Sequence, residues 1–295
     1  MRRVHLTLLV TVVLWALNLT VTRYILQHGF QPLSYATVRY GLASAIFVSI
    51  ALVADRALRP ERRDLGLVLV AAGALLLNQL AFVYALDTTS ASTIALLLGA
   101  TPAIAALIGL ALGLERMSSR FWVATLVSFA GVGLVAAGSG SSLSAGWTGI
   151  ALGLATAATW AVYSIAIAPL MERYSAARIS AFVLPIGWVG IAIAGSSQSV
   201  HQDYALSWHV WALLLFATLG PLVLTNILWF KALHGIGASR ATLIANLQPF
   251  VAALFALVLL SERMSLVQVV GGCLIAGGIL LARRRQARAI PAAGE

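Results

Sequence analysis

Ten long apolar runs separated by short connections occupy almost the whole chain, at residues 5–27, 33–54, 65–87, 91–113, 119–137, 147–169, 178–197, 208–232, 238–260 and 265–283. Crossing the ~30 Å hydrocarbon layer of a bilayer takes ~20 helical residues, and each run is of that order. None alternates as a spanning strand of ~10 residues must. Lipid offers no water to backbone amides, so such segments fold as helices that close their own hydrogen bonds. With 61% hydrophobic and only 9% charged residues and a mean hydropathy of +0.95, the chain has too little charge to coat a soluble domain. The expected fold is an all-α polytopic membrane protein of ten transmembrane helices.

Within these runs the chain repeats itself. Ala91–Ser118 (ASTIALLLGATPAIAALIGLALGLERMS) returns 147 residues later as Ala238–Ser265 (ASRATLIANLQPFVAALFALVLLSERMS). Pro102 falls on Pro249, and Glu115-Arg116-Met117-Ser118 falls on Glu262-Arg263-Met264-Ser265. Each half holds five runs, an odd number, so the second enters the membrane from the opposite side. That predicts two inverted five-helix repeats about a pseudo-two-fold axis in the membrane plane. The halves are residues 1–137 and 147–295, the second ending in a short basic tail, with a Gly/Ser linker at 138–146 between them. Read as a phosphate-cradling loop the linker fails, because no lysine follows and no strand precedes.

The formal net charge of +10 reads as topology. Of 19 basic residues, 16 cluster before the first run, in alternate connections and after the last. Only Arg23, Arg39 and Arg263 fall on the other side. By the positive-inside rule both termini are cytoplasmic. Glu115-Arg116 then ends the fourth span inside, and Glu262-Arg263 ends the ninth outside. A basic tail beside a membrane reports orientation and anionic lipid rather than nucleic acid. Lone Cys273 cannot make an intramolecular disulfide and reads as inert packing. Met1-Arg2-Arg3 before an apolar run imitates a signal peptide, but the run is long and no small-residue cleavage site follows before Arg23; it reads as a retained first helix.

Ten helices in two inverted halves, with the proline-bearing fourth and ninth ending in Glu-Arg, resemble the EamA family of the drug/metabolite transporter superfamily. Within it the chain resembles aromatic amino acid exporters of the YddG type from the bacterial inner membrane. The resemblance covers residues 5–283. It implies a single central cavity between the halves and ATP-independent efflux of small metabolites, with no cofactor and no metal. The implied partners are a small-molecule substrate and the lipid bilayer; oligomeric state stays open.

Depth and helical face nominate the cavity lining, because polar groups at mid-span are costly against lipid and face protein or water. Thr11, Trp15, Asn18 and Thr22 share one face of the first span, with Trp15 and Asn18 near its middle. The sixth span repeats the three-residue separation with Trp160 and Tyr163. Asn78 and Gln79 lie near mid-span in the third, Asn226 and Trp229 somewhat nearer the cytoplasm in the eighth, and Asn246 and Gln248 sit beside Pro249 in the ninth. The competing reading is that such amides bind helices together. None of the nine acidic residues lies near mid-span, which argues for facilitated diffusion or exchange rather than proton or sodium coupling. Amides with indole and phenol rings suit a small net-neutral molecule, such as an aromatic or other neutral amino acid. Arg39, deep in the second span, either meets a substrate carboxylate or snorkels outward.

Pro102 and Pro249 each remove a helical hydrogen bond, so the fourth and ninth spans should bend or break there, with Gly99 adding freedom; both prolines are hinge candidates. Gly220-Pro221 and Pro185 read as ordinary kinks. A broad-specificity, cation-coupled drug efflux carrier is the alternative. A membrane-embedded enzyme is disfavoured, since no HExxH, paired-aspartate or serine–histidine arrangement shares one depth. A channel lacks any ring of charge or filter repeat.

Overall fold

The computed structural model describes residues 2–54, 59–113, 119–138, 143–229 and 248–283, all regular elements among them being helical. In chain order these are α1 (Arg2–Gln27), α2 (Pro32–Ala54), α3 (Leu65–Thr88) after a 3-10 turn at Arg62–Asp64, α4 (Ala91–Leu98), α5 (Thr101–Ala111) and α6 (Ser119–Ala137). There follow α7 (Leu143–Met171), α8 (Ala176–Ala194), α9 (Ser196–His201), α10 (Trp208–Thr218), a π-helical segment Leu219–Leu224, α11 (Gln248–Leu259) and α12 (Leu266–Arg283). Among the described residues six helical stretches are long and apolar enough to cross a membrane, or seven if α4 and α5 form one bent span. The fifth and tenth predicted spans appear as shorter apolar helices, Trp122–Val135 within α6 and Leu266–Gly278 within α12. Much of the ninth lies outside the described residues.

Two breaks follow from proline chemistry. The fourth span divides at Gly99–Ala100, with Pro102 in the first turn of α5, a position that proline tolerates. Pro102 leaves the Leu98 carbonyl without its usual donor, and the Thr101 hydroxyl donates to it at 2.6 Å. In the eighth span, Gly220-Pro221 is more than an ordinary kink, because the backbone widens into six residues of π-helix around it. Leu143 already belongs to α7, and residues 139–142 lie outside the described set. The run at 178–197 ends in a separate short helix, α9.

The bundle packs chiefly through α6 against α12, α3 against α7 and α2 against α8. Small residues set the first pair. A Cβ on Gly131 would stand 2.5 Å from the Gly271 carbonyl, one on Gly271 2.6 Å from the Gly131 carbonyl, and one on Gly278 2.6 Å from the Ala124 carbonyl. Bare backbones therefore touch, the close approach that drives helix association where lipid removes the hydrophobic incentive. The contact pair Gly131–Gly271 becomes Gly278–Ala124 when each residue is shifted by the repeat interval of 147 and the partners are exchanged. Phe47, Ala71, Leu86, Ile94, Leu97 and Ile179 are among the fully buried side chains, while Val53, Leu126, Ile193 and Val258 stand out on the outer surface, as lipid contact requires. Cys273 is exposed on that outer surface of α12 rather than packed inside, lining a shallow apolar depression with Leu96 and Leu254.

Side chains staple the helix ends. The Glu262 carboxylate accepts from the backbone N–H of Ala91 and of Ser92, both at 2.9 Å, capping α4 from the α11–α12 turn. Next to it Ser261 holds a left-handed backbone (φ 53°), which is costly for a residue with a side chain. Elsewhere, Asp64, in the connection between α2 and α3, is drawn into the protein. It is 1% exposed, accepts from the Tyr174 hydroxyl at 2.6 Å and pairs with Arg173 at 2.9 Å. That hydrogen bond raises the Tyr174 pKa above the ordinary tyrosine value.

Candidate functional site

Four aromatic side chains meet where α1, α7 and the helical turn after the π segment approach one another. The Trp15 ring lies 6.4 Å from Trp160 in an edge-on contact and 5.3 Å from Trp229, and Trp160 lies 5.2 Å from Tyr163. These separations are in the favourable range for aromatic pairs. One ring precedes the 138–142 connection and three follow it. The arrangement is anchored by Thr225, which accepts from Trp15 Nε1 at 2.8 Å while its hydroxyl donates to the Pro221 carbonyl at 2.6 Å. Tyr163 is buried, Trp15 and Trp229 are half-buried, and Trp160 is 38% exposed, so the cluster keeps ring surface uncovered.

One turn along α1 the chemistry changes from rings to charge. Asn18 Oδ1 accepts from Arg39 Nη2 at 3.0 Å. The same guanidinium donates from Nη2 (3.1 Å) and Nε (3.3 Å) to the Ala217 carbonyl, and lies 5.8 Å from the ring centres of Tyr35 and Tyr40. Arg39 is 3% exposed and points inward; it does not snorkel. Ala217 precedes Pro221 by four residues, and proline has no N–H to give that carbonyl. Arg39 therefore occupies an acceptor that the sequence itself orphans.

The other nominated residues divide. Asn78 Nδ2 donates to the Thr156 carbonyl (2.8 Å) and Thr159 Oγ1 (3.2 Å), tying α3 to α7 in the turn before Trp160, and Gln79 Nε2 donates to Asn78 Oδ1 (2.9 Å). These bonds serve helix association, with the Gln79 Oε1 left as a buried oxygen lacking a partner. Asn226 and Gln248 are half-buried. Asn246 lies outside the described residues, as do Glu115 and Arg116. Gly99 forms the break between α4 and α5, and Pro249 lies within α11.

Reading the sequence by depth misses Thr225, Tyr35, Tyr40 and the Glu262 cap. Only the last had a visible signal. Glu262 closes the repeated segment whose first copy opens with Ala91-Ser92, and these three are the residues that bond.

Apolar helices in two matched sets, closed around rings and a buried cation, define the class: a multi-pass helical membrane protein of the transporter kind. The chain belongs to the EamA-like transporter family, which matches residues 2–137 and again 147–284. It is 24% identical over 288 residues to a transporter of Archaeoglobus fulgidus, covering 96% of this chain and 98% of the relative. A probable terminal-alkyne amino-acid exporter of Streptantibioticus cattleyicolor is 26% identical, covering 92% and 93% of the two chains. The inner membrane transporter YicL of Salmonella typhimurium is 25% identical over 98% of each. A solved crystal structure shares the fold with a TM-score of 0.68 at 19% identity, covering 99% of each chain.

Proposed function

We propose that this protein is a secondary transporter that exports aromatic or other neutral amino acids by alternating access, without ATP. The observation that carries the reading is the cluster of Trp15, Trp160, Tyr163 and Trp229, contributed from both sides of the repeat boundary and partly uncovered. Ring faces hold an apolar or aromatic side chain without demanding a charge from it. The exporter from Streptantibioticus cattleyicolor, named for an amino acid, supports the substrate class.

In this reading ten spans form two inverted halves, residues 1–137 and 147–295, with both termini in the cytoplasm of a bacterium and the protein in its inner membrane. The distribution of basic residues supports the orientation, and the two family matches and the exchanged glycine contacts of α6 and α12 support the two-fold relation. Pro102 and Pro249 act as hinges of the fourth and ninth spans. Asn226 and Gln248 line the path, while Asn78 and Gln79 hold α3 and α7 beside it.

The test is counterflow with the purified chain in liposomes loaded with unlabelled phenylalanine. Labelled phenylalanine or tryptophan should enter with no nucleotide present, and entry should saturate. A requirement for ATP, or no counterflow with any neutral amino acid, contradicts the reading.

A further inference from the structure

The ring cluster accounts for an apolar side chain but leaves the guanidinium beside it unexplained. A cation buried at this depth is expensive unless it is compensated. Its partners are the Asn18 amide oxygen, the Ala217 carbonyl and two phenol rings, all of them neutral. The ion pairs among the described residues, Arg63 with Glu61 and Arg173 with Asp64, do not include it. A planar guanidinium matches a carboxylate with two parallel charge-assisted bonds, roughly twice as strong as bonds to neutral acceptors. The best partner for Arg39 is thus one that this stretch of the protein does not supply.

Position adds the second half of the argument. Asn18, which holds Arg39, follows Trp15 by three residues, about 4.5 Å along α1 at 1.5 Å per residue. That interval is comparable with the one between the carboxylate of an amino acid and its side chain. Resting on the transport reading above, we propose that Arg39 recognises the substrate carboxylate, so that the substrates are amino acids with a free carboxylate and an apolar or aromatic side chain. The carboxylate takes the guanidinium from the Ala217 carbonyl, and the side chain enters the rings of Trp15, Trp160, Tyr163 and Trp229. The carbonyl orphaned by Pro221 is the resting acceptor that keeps Arg39 aimed while the site is empty. Amides and amines of the same shape offer no negative charge to exchange for it and are rejected, because a buried group left without its partner penalises the analogue.

The experiment uses the full chain in proteoliposomes loaded with labelled phenylalanine, with external phenylalanine, phenylalaninamide or phenethylamine driving exchange. Phenylalanine should drive it at concentrations at least tenfold below either analogue. Arg39→Lys, which keeps the charge and loses the fork, should weaken phenylalanine while retaining the preference; Arg39→Gln should lose the preference. Equal potency of acid and amide with the unmodified protein overturns the assignment, as does an unchanged acid-to-amide ratio in folded Arg39→Gln. If Arg39→Gln does not fold, the unmodified protein and Arg39→Lys decide. Absence of exchange with every neutral amino acid overturns the transport reading and this assignment with it, whereas exchange that ignores the carboxylate overturns only the assignment.

Discussion

Pro102 and Pro221 each deprive a carbonyl of its helical donor, and in each place a side chain answers: the Thr101 hydroxyl for Leu98, the Arg39 guanidinium for Ala217. The first answer is local and closes a break. The second reaches across from α2 and brings a cation beside the rings. Trp15 is the residue on which the ring cluster converges, touching Trp160, Trp229 and Thr225. Trp15→Ala should raise the substrate concentration for half-maximal counterflow at least tenfold, about 1.4 kcal/mol of lost binding, with the protein still folded by circular dichroism; an unchanged value would remove the rings from the site. Trp15, Asn18, Trp160 and Tyr163 stand out in the sequence as candidates because depth and three-residue spacing are local properties. The Arg39 partner was not, since it depends on a proline 182 positions away in sequence whose effect falls on the residue four before it.

Elements meet here through what they lack. Gly131 and Gly271 bring α6 and α12 into backbone contact, so a methyl group at either position would strike a carbonyl or amide rather than a movable side chain. Gly131→Ala should cost about 1–3 kcal/mol by overpacking and lower the melting temperature in detergent, whereas Gly133→Ala, with nothing within 4 Å, should not. Equal melting temperatures for the two variants would contradict the packing. If Pro102 and Pro249 are hinges, alanine at either restores a helical bond and stiffens the span, so exchange should slow while affinity stays. A loss of affinity with unchanged turnover would point to a static kink instead. The break in the fourth span was legible from Pro102. The π segment around Pro221 was not, because a proline in sequence announces a missing donor without saying whether the helix kinks or widens.

At the scale of the whole molecule, a chain that repeats itself after 147 residues matches its family twice and brings rings from both copies into contact. The helical class and the doubling were legible because lipid enforces long apolar segments and the Pro and Glu-Arg-Met-Ser landmarks survive in both copies. The number of membrane-long helices was less so: the sequence reads as ten runs, whereas among the described residues six stand out, or seven with the bent pair α4–α5. Breaks at Gly99–Ala100 and the short apolar cores of α6 and α12 divide what a hydropathy count joins. The central claim is that the ring cluster opens to each side of the membrane in turn. Asn226→Cys in a Cys273→Ser background puts a single thiol on the helical turn of Trp229, and a membrane-impermeant maleimide can be applied to either face. The account predicts modification from both faces, slowed from both by phenylalanine; modification from one face only, or rates indifferent to phenylalanine, would contradict it.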